Sequence, residues 1–198
     1  VRIVWYDSPA LGGARRMRVY TPPGYEAGDA SYPVLTLIHG GGDNDAGWTT
    51  IGRANFILDN LLAEDKIEPM IVVMPNGNVI QDAAPGAGSD GFYTPQFMIP
   101  NTMDGTFEAT FPDIMQFIES NYRVQADKAH RAVAGLSMGG FHSLHISKYY
   151  PDTFDYIGLF SAAILPREEV ESDVYKNMDG TLKTQMENGY ELYWIAIG

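Results

Sequence analysis

Ser137 is the side chain in this sequence best placed to do chemistry, because it lies between two glycines in the run Gly-Leu-Ser-Met-Gly at 135–139. A serine hydroxyl is a poor nucleophile, so a protein that uses one must expose it and place a base beside it. A tight turn brings neighbouring backbone close to the serine, and glycine allows this because it has no Cβ. An apolar strand precedes the motif and a helix follows it, a setting typical of a nucleophile elbow. The alternative is a buried serine in a glycine-rich turn that binds a phosphate.

A second glycine motif, His-Gly-Gly-Gly at 39–42, follows the apolar run Tyr32–Ile38. Attack on an ester places negative charge on the former carbonyl oxygen, and preorganised N–H groups are needed to stabilise that charge. We predict that the backbone N–H groups of Met138 and Gly41 form this oxyanion hole, in preference to Gly42. Both motifs together, in this order, favour catalysis over the phosphate-binding alternative.

The substrate side of the site is predicted from loops that follow the strands. Gly40, Gly42, Trp48, Phe92 and Tyr93 fall on such loops, where open α/β sheets bind their ligands. The aromatic residues among them, together with Phe97, are candidates to line an acyl pocket. Ordinary loop packing is the alternative for each of them.

No histidine is an evident base for Ser137. His39 is expected to brace the glycine turn, and His130 precedes its strand and is expected to be exposed. His142 and His145 follow Ser137 on a helix, which carries His142 about 7 Å away along the axis. The two could bind a metal only with a third ligand, and the sequence offers none at useful spacing. In elbow-type hydrolases an Asp or Glu and then a His follow the serine, but no histidine follows His145.

Composition excludes several classes of protein. The chain has 198 residues and a formal net charge of −12, and this negative charge argues against nucleic-acid binding. It contains no cysteine, which excludes disulfides and thiolate metal sites. No apolar run is long enough to span a membrane, and no cofactor or metal is predicted. The first residue, Val1, opens no signal-like segment, so we interpret the chain as a mature or trimmed product.

The order of elements predicts an α/β fold with a mostly parallel sheet and helices on both faces, in one domain covering residues 1–198. Pro112 is expected in the first turn of a helix capped near Thr110, or at a kink. The stretch 79–104 is long for a connection, and such loops are often functional. The predicted strands are Val1–Tyr6, Ala14–Tyr20, Tyr32–Ile38, Met70–Met74, Ala129–Leu136, Phe154–Phe160 and Glu191–Ile197; the predicted helices are Ile51–Glu64, one ending near Tyr122, one from the elbow to Tyr150, and part of 166–189.

These residues resemble the feruloyl esterase and acetylxylan esterase family of carbohydrate esterases, which are α/β-hydrolases related to esterase D. The matching segments cover nearly the whole chain: Arg15–Tyr25, Tyr32–Leu35, His39–Gly42, Gly52–Leu61, Ile71–Asn78, Phe117–Arg123 and His130–Gly140. The resemblance implies that Ser137 is the nucleophile, that Met138 and a glycine of 40–42 form the oxyanion hole, and that the enzyme is secreted and acts on plant xylan.

Two departures from the family pattern stand out. In the family the catalytic Asp follows the strand matching Glu191–Ile197 within a few residues, and the His lies further on. Both positions fall beyond Gly198, so the C-terminal part of the fold is expected to be missing. The stretch 79–104 is also longer than usual, which bears on substrate preference.

The sequence therefore predicts a serine esterase that cleaves feruloyl or acetyl esters of plant xylan through an acyl-enzyme on Ser137. Its substrates would be feruloylated or acetylated xylan or its oligosaccharides, and its location secreted or periplasmic. The chain alone should have little activity, and the surface left by the missing segment could drive association. The alternatives are a non-catalytic carbohydrate-binding or degenerate hydrolase, and a thioesterase similar to S-formylglutathione hydrolase, which would be cytoplasmic.

Overall fold

Seven strands form one sheet in the computed structural model, which describes residues 1–80, 101–164, 167 and 169–198. Their order across the sheet is β1-β2-β4-β3-β5-β6-β7. The hairpin β1–β2 is antiparallel and β2 runs antiparallel to β4, whereas every pair from β4 to β7 is parallel. The strand bounds are β1 Arg2–Ser8, β2 Gly13–Tyr20, β3 Val34–Ile38, β4 Ile71–Pro75, β5 Arg131–Leu136, β6 Tyr156–Phe160 and β7 Leu192–Ala196.

Helices cover both faces of this sheet, as the alternating pattern predicts. Helices α4 and α5 pack with the larger hydrophobic cluster on one face, and α2 packs with a smaller cluster on the other. No helix in the described part of the chain is both long enough and apolar enough to cross a membrane. The helix bounds are α1 Gly47–Thr50, α2 Ala54–Ala63, α3 Thr106–Ala109, α4 Phe111–Asn121, α5 Met138–Tyr149 and α6 Met178–Asn188.

The predicted helix Ile51–Glu64 is wrong at its start. The chain forms the short α1 first, and α2 begins only at Ala54, because Arg53 adopts a left-handed φ of 54°. Ile51 is consequently 79% exposed instead of lying on the buried face of the helix. Pro112 lies in the first turn of α4, where its missing N–H breaks no helical hydrogen bond.

Strand β7 lies at one edge of the sheet and is apolar on both faces. Leu192, Trp194 and Ile195 are each about half exposed, and Ile197 just beyond the strand is 85% exposed. A strand that is apolar on both faces is typical of a sheet interior, with helices above and below it. The apolar side chains of β7 are therefore more exposed, among the described residues, than is typical of a strand with this sequence.

Helix α5 is the most deeply buried helix of the described chain, and Lys148 near its C-terminal end is fully buried. Its Nζ donates a hydrogen bond to the carbonyl of Val174 at 2.5 Å. Burial lowers the pKa of Lys148 from 10.5 to about 8, although the charge of Glu108 opposes this shift. The folded state thus disfavours the charged amine.

This buried amine predicts a pH-dependent stability. Between pH 8 and 10.5 the unfolded chain holds the Lys148 proton and the folded chain does not, so stability rises with pH in this window. Relative to Lys148→Met, the free energy of unfolding of the wild type should increase by on the order of 2 kcal/mol across the window. Urea denaturation of both proteins from pH 7 to 10.5 measures this. A constant difference over that range would contradict the assignment.

Candidate active site

Ser137 lies where the sequence predicts a nucleophile elbow, between β5 and α5. Its backbone has φ 54° and ψ −111°, which is unusual for a residue with a Cβ. Ser137 is also exposed to solvent. The Ser137 N–H donates to the carbonyl of Phe160 at 2.8 Å, which ties the turn to β6. Strained backbone of this kind is concentrated at functional sites. The turn therefore presents the hydroxyl at the carboxyl ends of the parallel strands.

Glycines around Ser137 allow three backbone segments to meet. A Cβ added to Gly135 would lie 2.3 Å from the carbonyl carbon of Gly139, and a Cβ on Gly139 would lie 2.2 Å from the Ile38 oxygen. A Cβ on Gly140 would lie 2.6 Å from that of Ala162. Real Cβ atoms do not approach backbone this closely. Glycine is thus required where α5 starts against the end of β3.

The predicted oxyanion loop lies beside the elbow. A Cβ added to Gly40 would lie 3.8 Å from the Ser137 Cβ and 3.4 Å from the Leu136 oxygen. Gly42 has a φ of 80°, a conformation that favours glycine. Gly41 is half-buried in the same loop, and Met138 is buried at the first position of α5. The loop and the helix start can therefore act on one oxyanion, and the roles of Met138 and Gly41 stay predictions.

His39 holds this loop in place. It is buried, and its Nδ1 lies 2.8 Å from the Gly40 carbonyl, while the Gly77 N–H donates to its Nε2 at 3.0 Å. Since a carbonyl only accepts, Nδ1 carries a proton, and Nε2 also lies 3.2 Å from Asn76 Oδ1. Burial also lowers the pKa of His39. Both ring nitrogens are engaged, so His39 braces the glycine turn and is not available as a base.

Two adjacent arginines on β2 hold the loops from opposite faces of the sheet. Arg15 donates to the carbonyls of Asn76, Asn78 and Val79 at 2.9–3.1 Å. Arg16 forms a bidentate ion pair with Asp45, in which Nε donates to Oδ2 at 3.0 Å and Nη2 donates to Oδ1 at 2.7 Å. Both arginines and Asp45 are buried, and paired burial of this kind fixes geometry strongly. These residues position the loops that follow β4 and β3.

Sequence reasoning missed the two arginines and Asp45. The available signal was the presence of Arg15, Arg16 and Arg18 in one strand whose other residues are uncharged, since buried arginines are almost always paired.

The other histidines do not serve Ser137. The His130 side chain is 41% exposed, in agreement with the prediction, and its Nδ1 lies 2.7 Å from Asp127 Oδ1. His142 is fully buried and contacts Glu108 through Nδ1 at 2.9 Å. Glu108 on α3 reaches His142 from a distant part of the sequence, so the local spacing around His142 does not reveal this carboxylate.

His145 lies still further along α5, with its ring between Phe141 and Tyr175 at 4.3 and 4.6 Å. The described residues hold no group of three or more His, Asp or Glu side chains that could bind a metal. The base that Ser137 needs is thus not among the described histidines.

The predicted acyl-pocket residues are only partly described. Trp48 is half-buried and packs against the smaller hydrophobic cluster, which includes Leu37 and Met74, on one face of the sheet. This position agrees with the ordinary-packing alternative, and a role in the pocket stays a prediction. Phe92, Tyr93 and Phe97 lie outside the described residues.

The strand order 1-2-4-3-5-6-7 and the Gly-x-Ser-x-Gly turn after β5 define an α/β-hydrolase. The fold is similar to a solved ferulic acid esterase from Anaeromyces mucronatus, with TM-score 0.70 and 23% identity over 100% of this chain and 82% of the other. A Staphylococcus aureus S-formylglutathione hydrolase gives TM-score 0.69 at 15% identity, over 100% and 76%. The chain belongs to the esterase family described as "Putative esterase", whose model matches residues 8–195.

Relatives in sequence are considerably longer than this chain. An "Endo-1,4-beta-xylanase/feruloyl esterase" from Xylanibacter ruminicola is 36% identical over 176 residues, which are 86% of this chain and 23% of the relative. "Esterase Rv1288" from Mycobacterium tuberculosis is 34% identical over 154 residues, 74% of this chain and 30% of the relative. The chain therefore spans less than a third of the length of these relatives.

The backbone contact at Gly139 predicts a large effect of a single methyl group. Gly139→Ala should lower the free energy of unfolding by about 3 kcal/mol, because the new Cβ would overlap the carbonyl oxygens of Ile38 and His39. Gly13→Ala is the matched control, since a Cβ there meets nothing within 4 Å, and it should change stability by less than about 1 kcal/mol. Urea denaturation of the three proteins tests this. Equal stability of the two variants would contradict the contact.

Proposed function

We propose that this protein is a serine carboxylic-ester hydrolase that acts on feruloyl or acetyl esters of plant xylan through an acyl-enzyme on Ser137. The observation that carries the proposal is the exposed Ser137, held in a strained turn against the glycine loop at 40–42. Membership of the esterase family supports the reaction class.

The reaction follows from this geometry in two halves. The Ser137 oxygen attacks the ester carbonyl carbon while a base takes its proton. The N–H groups of Met138 and Gly41 stabilise the resulting oxyanion, and the sugar alcohol leaves with a proton returned by the base. Water then attacks the acyl-enzyme in the same way, which releases the carboxylic acid and restores the Ser137 hydroxyl.

We propose that the base, and the residue that orients it, are not among the described residues. The exposed apolar faces of β7 support this, because they suit a strand covered by further chain. The 198 residues alone should then hydrolyse esters slowly, because a serine without a base keeps its proton. The same apolar faces could also support association with another polypeptide.

The choice of substrate rests on relatives and on chemistry. The X. ruminicola relative is named as a xylanase and feruloyl esterase, and the A. mucronatus ferulic acid esterase has been solved with ferulic acid. Xylan is a polymer outside the cells that degrade it, so we also propose a secreted or periplasmic location. A thioesterase is the second candidate, favoured by the similarity to S-formylglutathione hydrolase.

Loss of the nucleophile tests the proposal. In the full gene product that contains these residues, Ser137→Ala should lower kcat for methyl ferulate by at least about 1,000-fold, because no other group can form the acyl-enzyme. Release of ferulate is measured by absorbance, with thermal melting as a control for folding. Wild-type activity in this variant would refute the assignment.

The same assay separates the alternatives. Faster hydrolysis of S-formylglutathione than of methyl ferulate or acetylated xylo-oligosaccharides would favour the thioesterase. Binding of xylo-oligosaccharides by calorimetry, with no hydrolysis of any ester, would favour a non-catalytic carbohydrate-binding protein.

A further inference from the structure

Glu108 and His142 form a buried carboxylate–imidazole pair that the proposed reaction does not use. Glu108 lies on α3 and His142 on α5, and both are fully buried. His142 Nδ1 and Glu108 Oε1 are 2.9 Å apart, and the Tyr175 hydroxyl donates to the same oxygen at 3.3 Å. Because Oε1 accepts from the Tyr175 hydroxyl, it also accepts from His142, and the donating proton is on Nδ1. This hydrogen bond fixes the orientation of the imidazole ring.

The other edge of the His142 ring packs against the loop after β4. A Cβ added to Gly77 would lie 3.6 Å from both Cδ2 and Nε2 of His142, and 3.6 Å from Cε of Met138. The ring is therefore in ordinary van der Waals range of the space beside Gly77. Phe107 packs edge-on against another side of the His142 ring, with 4.9 Å between the two ring centroids.

Gly77 connects this packing to the oxyanion loop. Its N–H donates to His39 Nε2 at 3.0 Å, and His39 Nδ1–H donates to the Gly40 carbonyl at 2.8 Å. Gly40 in turn lies against Ser137. A series of neighbouring groups thus runs from Glu108, past two imidazole rings, to the backbone beside Ser137.

The polar pair is costly for a hydrophobic core. Among the described residues, Glu108 Oε2 and His142 Nε2 are buried without a hydrogen-bond partner. Unsatisfied buried polar atoms destabilise the folded state, a cost that leucine and phenylalanine at these positions would avoid. Such departures from a well-packed apolar core are expected at functional sites.

We propose that Glu108 and His142 are positioning residues for the oxyanion hole, an inference that rests on the proposed esterase function. Glu108 orients the His142 ring, the ring supports Gly77, and Gly77 and His39 hold the Gly40 carbonyl. The N–H groups that follow Gly40 are then aimed at the oxyanion before substrate arrives. Displacement of catalytic groups by about 1 Å can lower a rate about 100-fold, so a contact far from the ester can matter.

The test compares variants of the pair in the full gene product, with methyl ferulate as substrate. Glu108→Leu and His142→Leu should lower kcat at least about tenfold and leave KM within about twofold, because the loop acts on the transition state. Glu108→Gln keeps an oxygen that accepts from Nδ1–H and should retain most of kcat. Asp127→Asn and His130→Gln alter the exposed carboxylate–histidine pair and serve as matched controls that retain wild-type kcat.

All rates are measured well below each melting temperature, so that a loss of stability alone does not lower kcat. A kcat within twofold of wild type in folded Glu108→Leu and His142→Leu would overturn the inference, as would equal loss in Glu108→Gln and Glu108→Leu. If wild-type activity does not depend on Ser137, the proposed function itself fails. An active wild type with equally active variants removes only the positioning role.

Discussion

The close approach of three backbone segments around Ser137 is the constraint on which the rest of this site depends. The end of β3, the end of β5 and the start of α5 meet at distances that leave no room for a Cβ on Gly135 or Gly139. The glycine loop lies against the elbow, where Ser137 has a positive φ of 54°. Ser137, the predicted nucleophile, therefore lies beside the two backbone segments that are predicted to form the oxyanion hole.

Buried polar residues hold the loops that take part in this close approach of backbone segments. Arg15 and Arg16 point to opposite faces of β2, and each holds one of the loops that flank the elbow. His39 adds hydrogen bonds on both edges of its ring. Charged groups buried in this way contribute little net stability, but they fix geometry well when every partner is in place. The protein thus uses its buried charges to orient the site.

Much of the fold and part of the site could be predicted from the sequence. Buried strands such as β3 and β4 are continuous apolar runs, and the elbow and the glycine loop are short local motifs with a strong requirement for glycine. The predicted helix start at Ile51 was wrong because Ile51 continues the apolar spacing, although Arg53 adopts a left-handed conformation and α2 begins only at Ala54. The Glu108–His142 and Arg16–Asp45 pairs join residues far apart in sequence, so the local pattern around one residue does not identify its partner.

The most direct test of the central claim is to find which residue of the full gene product reacts with a fluorophosphonate. This reagent phosphonylates a serine only when the hydroxyl is activated and an oxyanion hole is present. Digestion with trypsin and mass spectrometry of the peptide that spans residues 132–148 should locate the adduct on Ser137, with Ser143 and Ser147 unmodified. An adduct on another residue, with Ser137 unmodified while ester hydrolysis is inhibited, would contradict the account.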